Sequence, residues 1–223
     1  MAEKYYQLCL VTDSALANGR SLAGIVAAAV QGGVTLVQLR EKTASTRAFI
    51  EQAKALKRLL APLRVPLLIN DRIDVALAAG ADGAHVGQQD MPVALARQLL
   101  GPAAIIGLSI TERAQVRDRD VELADYLGVG PIFAQSTKLD ATPPLGLDGL
   151  AEVRRATGKP IVAIGGVSAA NADAVRLAGA DGIAVVSAIM GADDPGAAAA
   201  ALVSALKAGA SKVAEAERGG DRR

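Results

Sequence analysis

The sequence predicts an α/β fold, a single (β/α)8 TIM barrel with a parallel eight-stranded core. Short β-branched runs alternate along the chain with longer segments of helical periodicity, giving eight strand–helix units. Strands separated by helices pair in parallel through right-handed crossovers. Near-continuous apolar strands such as Ile161-Val162-Ala163-Ile164 are typical of strands buried on both faces. Eight units in 223 residues fit a barrel with short loops, since a typical barrel has about 250 residues.

The predicted elements follow the chain in a regular order. The strands span residues 7–11, 35–39, 66–69, 83–86, 105–108, 126–130, 160–164 and 182–186. The helices span residues 22–30, 46–60, 72–78, 93–99, 112–116, 150–156, 172–177 and 196–206. The catalytic barrel is predicted to occupy residues 1–207, and the polar segment 208–223 is predicted to be a disordered tail.

A short internal repeat supports this alternation. Residues 77–83 read Leu-Ala-Ala-Gly-Ala-Asp-Gly and residues 177–182 read Leu-Ala-Gly-Ala-Asp-Gly, each between a helix and a strand. Glycine is typical of helix ends, and the aspartate is predicted to cap the turn. The alternative fold is an open doubly wound sheet, but the nucleotide-binding glycine fingerprint is missing after the first strand.

Composition and charge exclude several classes of function. The 24 Lys+Arg and 23 Asp+Glu leave a net charge of +1, which argues against nucleic-acid or anionic-membrane partners. The single cysteine, Cys9, excludes a disulfide framework and is interpreted as inert core. A signal peptide and a membrane-length apolar run are not found in the sequence, so a cytoplasmic location is predicted. The sequence leaves the oligomeric state open, a homo-oligomer included.

Cations follow the second predicted strand. The chemistry of such a barrel is expected at the carboxyl ends of its strands. Here the strand ends in Gln38-Leu39-Arg40-Glu41-Lys42, and a period of two places Gln38, Arg40 and Lys42 on one face. Cations on the inward face of a buried strand are costly unless an anion lies opposite. The pattern therefore predicts an anion site, and the alternative is a structural Arg–Glu network inside the barrel.

Two aspartates follow neighbouring strands. Asp71 comes after the third predicted strand and Asp90 after the fourth, so both are expected at the same mouth of the barrel. Carboxylate oxygens that face a phosphate-bearing substrate are typical Mg²⁺ ligands. An aspartate after a strand is also a common helix N-cap. The pair, taken with the nearby cations, predicts a magnesium site.

Hydroxyl, amide and glycine residues follow the remaining strands. Ser109 follows the fifth, and Ala-Gln-Ser-Thr-Lys at 134–138 follows the sixth. Gly165-Gly166 and Val186-Ser187 follow the last two strands, each before a predicted helix, which favours a phosphate site there. His85, the only histidine, lies inside the fourth strand and is interpreted as packed and hydrogen-bonded. This inventory favours departure of a metal-bound pyrophosphate over hydrolysis by an activated nucleophile.

Seven segments in order along the chain resemble the thiamine phosphate synthase family. They are residues 38–42, 69–71, 85–90, 130–133, 136–138, 163–167 and 186–189, and the resemblance extends from about residue 5 to residue 206. The family couples hydroxymethylpyrimidine diphosphate with a thiazole phosphate, giving thiamine phosphate and pyrophosphate. The resemblance implies a transferase of thiamine biosynthesis in which the diphosphate leaves first. The thiazole nitrogen then captures a pyrimidine-stabilised methylene cation.

The resemblance also implies a role for individual residues. The pyrimidine diphosphate would be held by Gln38, Arg40, Lys42, Asn70, Ser109 and Lys138, of which Arg40, Lys42, Ser109 and Lys138 would be catalytic. Mg²⁺ would be held by Asp71 and Asp90. The thiazole phosphate would be held by Gln135, Ser136, Thr137, Gly166, Val186 and Ser187. Gln135 stands where the family has a threonine, so its contact would come from an amide or from the backbone.

Other functions on the same barrel are carried as alternatives. A thiazole tautomerase of the same superfamily would bind the thiazole phosphate and release no pyrophosphate. A non-catalytic relative would sense thiamine phosphate and act on a partner. The set of cations and carboxylates named above favours the synthase, with small molecules as its partners.

Overall fold

The computed structural model describes residues 5–134 and 143–220, and it contains one closed barrel of eight parallel strands in chain order. The strands are β1 Leu8–Val11, β2 Leu36–Leu39, β3 Leu67–Asn70, β4 Gly83–Val86, β5 Ile105–Ile110, β6 Tyr126–Val129, β7 Ile161–Ile164 and β8 Gly182–Val185. Strand β8 pairs in parallel with β1, with Cys9 opposite Ala184, and this pairing closes the ring. The predicted fold class is confirmed.

Helices connect the strands on the outside of the barrel. They are α1 Leu22–Gln31, α2 Thr46–Leu60, α3 Ile73–Ala79, α4 Val93–Leu100, α5 Arg119–Leu123, α6 Gly146–Ala156, α7 Ala172–Leu177, α8 Ser187–Met190 and α9 Pro195–Gly220. The two short helices α5 and α8 were not among the predicted elements, and residues 113–117 form a 3-10 turn. No helix in the described ranges is long and apolar enough to cross a bilayer.

Helix α2 shows how the sequence sets its own boundaries. Ser45 has an extended backbone, and its side chain accepts the N–H of Ala48, which satisfies one of the free donors at the helix start. Phe49, Ala53 and Leu56 recur at helical spacing and are buried against the barrel. The predicted bounds of 46–60 are those observed.

The apolar side chains form two layers, as the period of two in the strands requires. In β1, Leu8 and Leu10 point outwards into the layer between sheet and helices. Cys9 and Val11 point inwards, into a smaller cluster that also holds Tyr6 and Tyr126. Burial raises the pKa of the Cys9 thiol to about 12, in agreement with the interpretation of Cys9 as an inert core residue.

A side chain placed just before each even-numbered strand binds the backbone at the start of the preceding strand. The pairs, acceptor first, are Thr35 with the N–H of Leu8 at 3.1 Å, Asp82 with Leu67 at 2.8 Å, Asp125 with Ile106 at 2.7 Å and Asp181 with Ile161 at 2.8 Å. Asp82 and Asp181 belong to the two helix-to-strand joints in which the sequence analysis predicted turn caps. These aspartates connect strands rather than cap turns.

The end of the chain differs from the predicted disordered tail. Helix α9 continues past residue 207 to Gly220, because the segment is rich in alanine and its next turns meet α7. Lys212 Nζ lies 2.7 Å from Asp173 Oδ2 of α7. A Cβ added at Gly209 would lie 2.8 Å from Cβ of Arg176, so this glycine allows the two helices to approach closely. Residues 221–223 of the predicted tail lie outside the described residues.

Candidate active site

A cavity of about 360 Å³ opens at the carboxyl ends of the strands. Its lining includes seven residues that the sequence analysis assigned to the site: Gln38, Arg40, Asn70, Ser109, Gly166, Val186 and Ser187. Strands of one barrel all point the same way, so the residues that follow them meet at one mouth. The predicted residues Gln135, Ser136, Thr137 and Lys138 lie outside the described residues.

Asp71 and Asp90 lie beside each other on the loops after β3 and β4, next to the cavity-lining Asn70 but not among the lining residues themselves. Asp71 has a left-handed backbone with φ of 62°, and its N–H donates to the carbonyl of His85 at 2.8 Å. Asp90 Oδ2 accepts the N–H of Gly87 at 2.7 Å, which fixes it on the neighbouring loop. Burial raises the pKa of Asp90, and the nearby Asp71 carboxylate raises it further. Two carboxylates from separate strands are therefore brought together, as predicted.

The donor set of this pair fits a hard divalent cation. It offers carboxylate oxygens, which Mg²⁺ prefers, and leaves further positions to water and to substrate phosphate. Asn70 Nδ2 and Lys42 Nζ donate to the two oxygens of Asp71, so the carboxylate is oriented by its neighbours. Within residues 5–134 and 143–220, His, Cys, Asp and Glu form no group of three or more suited to a metal. The pair is the only part of the mouth with this chemistry among the predicted residues.

Lys42 reaches the carboxylates from a loop, where the alternation of side chains along a strand no longer applies. Strand β2 ends at Leu39, and Lys42 lies on the following loop, with 52% of its side chain exposed. It does not line the cavity with Gln38 and Arg40, so the prediction of one shared face holds for those two residues only. Its Nζ lies 2.7 Å from Asp71 Oδ2, which places its charge beside the carboxylate pair.

Arg40 is paired with a residue after the neighbouring strand β1 that the sequence analysis missed. Its Nη1 lies 3.3 Å from Asp13 Oδ2, and Asp13 also lines the cavity. The hydroxyl of Thr12 accepts the Arg40 N–H at 3.0 Å and so fixes the backbone from which the arginine extends. The signal was present, since Thr12 and Asp13 follow the first strand as the other polar residues follow theirs. The alternative of an Arg–Glu network is wrong, because the arginine pairs with this aspartate.

Glu41 organises the β2–α2 loop. Its Oε1 accepts the backbone N–H groups of Lys42 and Thr43 at 2.8 Å and of Ala44 at 3.3 Å. Its Oε2 accepts the hydroxyl of Ser14 at 3.0 Å. Partial burial raises the pKa of this carboxyl, but the donated hydrogen bonds outweigh that effect and lower the pKa to about 2.

His85 is buried and bonded on both ring nitrogens. Nδ1 lies 2.8 Å from the Tyr126 hydroxyl and Nε2 lies 2.9 Å from Ser109 Oγ. Burial lowers the pKa of His85 to about 4, although the charge of Asp90 opposes that shift. The interpretation of His85 as packed and hydrogen-bonded is confirmed. Ser109 lies within β5, which extends to Ile110, rather than after it as predicted.

The loops after β7 and β8 form the opposite side of the mouth. Gly165 and Gly166 have φ of 99° and 65°, a left-handed conformation that favours glycine. A Cβ on Gly166 would also lie 2.7 Å from Cβ of Phe133, so the loop needs glycine for space as well. Val186 and Ser187 follow β8 and line the same cavity. The structure therefore brings both predicted phosphate-binding segments to one wall.

The fold and this site together define a barrel enzyme that handles phosphate-bearing substrates, with cations and a carboxylate pair at the strand ends. A family model described as thiamine monophosphate synthase matches residues 8–189. A thiamine-phosphate synthase of Albidiferax ferrireducens is 62% identical over 190 residues, which cover 85% of this chain and 86% of the relative. One of Chloroflexus aurantiacus is 55% identical, covering 87% of this chain and 89% of the relative.

A solved structure shows the same likeness in three dimensions. The thiamine phosphate pyrophosphorylase of Pyrococcus furiosus superposes with a TM-score of 0.84 at 35% identity, covering 94% of this chain and 99% of that one. The chain belongs to the thiamine monophosphate synthase family. The predicted resemblance, and with it the prediction of a transferase of thiamine biosynthesis, is confirmed.

Proposed function

We propose that this chain joins hydroxymethylpyrimidine diphosphate to the thiazole phosphate, forming thiamine phosphate and releasing pyrophosphate. The observation that carries the proposal is the convergence of Arg40, Lys42, Asp71 and Asp90 at one mouth of the barrel. Cations beside a carboxylate pair suit a substrate whose diphosphate binds together with a divalent metal. Membership of the thiamine monophosphate synthase family supports this choice of the two substrates.

Asp71 and Asp90 would hold Mg²⁺, which would neutralise the charge that develops on the departing diphosphate. Their oxygen ligands and their mutual proximity support this assignment. Asn70 and Lys42 each bind one oxygen of Asp71 and so keep that carboxylate in place.

Arg40 and Lys42 would bind the diphosphate, with Lys138 completing the set from the loop after β6. Both described cations already have carboxylate partners, Asp13 and Asp71, which hold their side chains ready near the mouth. Gln38, Asn70 and Ser109 line the cavity below and would bind the pyrimidine. Arg40, Lys42, Ser109 and Lys138 would act in catalysis by holding the substrate and its leaving group.

The thiazole phosphate would lie against the wall formed by Gly166, Val186 and Ser187. These residues line the cavity, and the glycine brings backbone close to the ligand space. Gln135, Ser136 and Thr137 would complete this phosphate site. The two phosphate sites would then flank one cavity, which suits a reaction between two phosphorylated substrates.

The reaction would proceed by departure of the diphosphate first. The bond between the methylene carbon and the diphosphate oxygen breaks, and its electron pair leaves with pyrophosphate. The pyrimidine stabilises the methylene cation until the lone pair of the thiazole nitrogen forms the new C–N bond. No proton is removed from the nitrogen that attacks, so a side chain acting as base is not required. The residues contribute position and electrostatic stabilisation.

The substrates are small molecules, and we infer that the chain acts in the cytoplasm without nucleic-acid or membrane partners. The support is the nearly balanced charge and the single buried thiol, Cys9.

The direct test is incubation of the protein with both precursors and Mg²⁺, with thiamine phosphate and pyrophosphate measured together. We expect equal amounts of both products and none after the metal is removed. A thiazole tautomerase would change the thiazole without releasing pyrophosphate. A sensing relative would bind thiamine phosphate without forming it, and either result would overturn the proposal.

Replacement of Asp71 tests the carboxylate pair. Asp71→Asn keeps a residue that tolerates the left-handed backbone but removes one charge from the proposed metal site. We expect turnover to fall about 100-fold or more, with the loss largest at low Mg²⁺. Asp74→Asn is the matched control, since Asp74 is an exposed residue of α3 paired with Arg72. Near-normal rates for Asp71→Asn would remove Asp71 from the metal site.

A further inference from the structure

A chain of three polar side chains crosses the inside of the barrel from Tyr126 through His85 to Ser109. The two hydrogen bonds measure 2.8 Å and 2.9 Å, and they link β6, β4 and β5. All three residues line the cavity. The proposed function assigns a role to Ser109 only. It does not explain why Tyr126 and His85 form buried hydrogen bonds at this place.

The barrel is shaped to hold this chain. A Cβ added to Gly107 would lie 2.4 Å from His85 Nδ1 and 2.3 Å from Cζ of Tyr126. A Cβ added to Gly128 would lie 2.6 Å from His85 Cε1. The imidazole therefore occupies space that is free because Gly107 of β5 and Gly128 of β6 have no side chain. A ring held in this way cannot turn to find other partners.

The direction of the first hydrogen bond follows from Tyr126. Burial is the main cause that raises the pKa of this phenol well above 10, so the hydroxyl keeps its hydrogen. A phenol is also a stronger hydrogen-bond donor than the alcohol of Ser109, so of the two hydroxyls at the imidazole it is Tyr126 that donates. The hydrogen of Tyr126 is then free to be donated to His85 Nδ1, the partner at 2.8 Å.

The direction of the second hydrogen bond follows from the first. Neutral imidazole carries one hydrogen, and Nδ1 already acts as the acceptor. The hydrogen therefore lies on Nε2 and is donated to Ser109 Oγ at 2.9 Å. An Oγ that accepts from inside the barrel can direct its own hydrogen into the cavity.

We propose that Tyr126 and His85 are positioning residues that fix Ser109 as a hydrogen-bond donor towards the bound substrate. The atom of the pyrimidine diphosphate that meets Ser109 is then an acceptor. The identity of that substrate rests on the proposed function, whereas the direction of the hydrogen bonds within the protein does not. Without the Tyr126 hydroxyl, the imidazole can carry its hydrogen on either nitrogen. The hydrogen bond between His85 and Ser109 then no longer has a single direction.

The tautomer of His85 can be observed without any turnover. The sequence holds one histidine, so tag-free protein with ¹⁵N-labelled histidine gives a single imidazole spin system by NMR. We expect the neutral Nε2–H tautomer near neutral pH, and a shift towards the Nδ1–H form in Tyr126→Phe. An Nδ1–H tautomer in the unmodified protein would overturn the proposal, whether or not Tyr126→Phe folds.

A double-mutant cycle tests whether Tyr126 acts through Ser109. We expect Ser109→Ala to lower kcat/KM for the pyrimidine diphosphate about tenfold, the effect of one lost hydrogen bond. Tyr126→Phe should lower it severalfold alone and less than twofold in the Ser109→Ala background, because coupled residues are not additive. Equal effects of Tyr126→Phe in both backgrounds would contradict the proposal.

Tyr6→Phe is the matched control for this cycle. Tyr6 is buried, its ring centre lies 4.9 Å from that of Tyr126, and it is not part of the hydrogen-bonded chain. We expect Tyr6→Phe to change neither the His85 tautomer nor kcat/KM. If the unmodified protein forms no thiamine phosphate, the proposed function fails, and the tautomer measurement still decides the direction of the chain.

Discussion

A single carboxylate, Glu41, sets the position of a substrate-binding loop. Its four described hydrogen bonds from Lys42, Thr43 and Ala44 close a tight turn after β2, and a fifth, from Ser14, joins the turn to the β1 loop. Lys42 is carried by this turn and reaches Asp71 from it. At the scale of the residue, the geometry of the anion site thus depends on a side chain that lies next to the proposed ligands.

Glu41→Gln should loosen this turn. A neutral amide is a weaker acceptor than a carboxylate for several N–H donors, so we expect a severalfold increase in KM for the pyrimidine diphosphate. Glu51→Gln is the control, because Glu51 is an exposed helix residue paired with Lys54. An unchanged KM in Glu41→Gln would contradict the role of the turn in placing Lys42.

Glu41→Gln also tests how the free energy of unfolding depends on pH. The pKa of Glu41 falls from 4.5 to about 2 on folding, so the unfolded chain binds more protons between these values. The stabilisation is therefore complete above about pH 4.5 and disappears as the pH falls towards 2. Denaturation at several pH values should show a constant gap between the unmodified protein and Glu41→Gln above 4.5, and a closing gap below. A gap that persists at pH 2 would contradict this assignment.

Residue positions were predictable from sequence where the strand period applies and not beyond it. Gln38 and Arg40 line the cavity as a period of two requires. Lys42 does not, because the chain leaves strand geometry after Leu39 and turns around Glu41. The ion pair of Arg40 with Asp13 joins two residues that are 27 positions apart in sequence, and a local pattern does not show which charges meet.

At the scale of the element, three aspartates each connect two consecutive strands, so that the barrel is built from four strand pairs, or quarters. Asp82, Asp125 and Asp181 each accept a strand N–H and also pair with a cation from the helix before that strand, namely Lys57 of α2, Arg97 of α4 and Arg154 of α6. In the first quarter Thr35 makes the contact instead. Since no helix precedes β1 in the described part of the chain, a neutral hydroxyl suffices there.

Two replacements of Asp125 separate these contacts. Asp125→Ala leaves the buried N–H of Ile106 without a partner, and we expect a loss of about 1–3 kcal/mol in the free energy of unfolding. Asp125→Asn keeps an acceptor and loses the pair with Arg97, which at a partly exposed site contributes under about 1 kcal/mol. Thermal denaturation measures both, and equal losses would show that the ion pair rather than the strand contact dominates.

The elements themselves were largely predictable because the barrel repeats one unit. Short, mostly apolar segments of four residues mark β1 to β4 and β6 to β8, and helical periodicity marks α2 with its correct bounds. The short helices α5 and α8 have five and four residues, too few for periodicity to indicate them. The repeat at residues 77–83 and 177–182 was visible, but its role in joining strands depends on register, which only the structure shows.

At the scale of the whole molecule, α9 joins the first and last quarters of the ring. It packs on α1 near the start of the chain and on α7 near its end. The approach to α1 is close, since a Cβ at Gly32 would lie 2.2 Å from the carbonyl of Gly196. Beyond Lys207 the helix still contacts α7 through Gly209 and Lys212.

Two truncations test whether this last part of α9 contributes to the fold. Ending the chain after Lys207 removes the contacts of Gly209 and Lys212, and we expect Tm to fall by about 2–4 °C. Ending it after Val213 keeps both contacts and should leave Tm unchanged. Equal Tm values for the two truncated chains and the full chain would show that residues after Lys207 do not contribute to stability.

The central claim is that acidic and basic side chains of separate strands hold one metal-bound diphosphate. Titration calorimetry of the full chain with pyrophosphate, with and without Mg²⁺, tests it most directly. We predict that Mg²⁺ raises the affinity at least about tenfold, as charge neutralisation by a shared cation requires, and that Asp71→Asn and Asp90→Asn remove this gain. Equal affinity with and without Mg²⁺ in the unmodified protein would contradict the account.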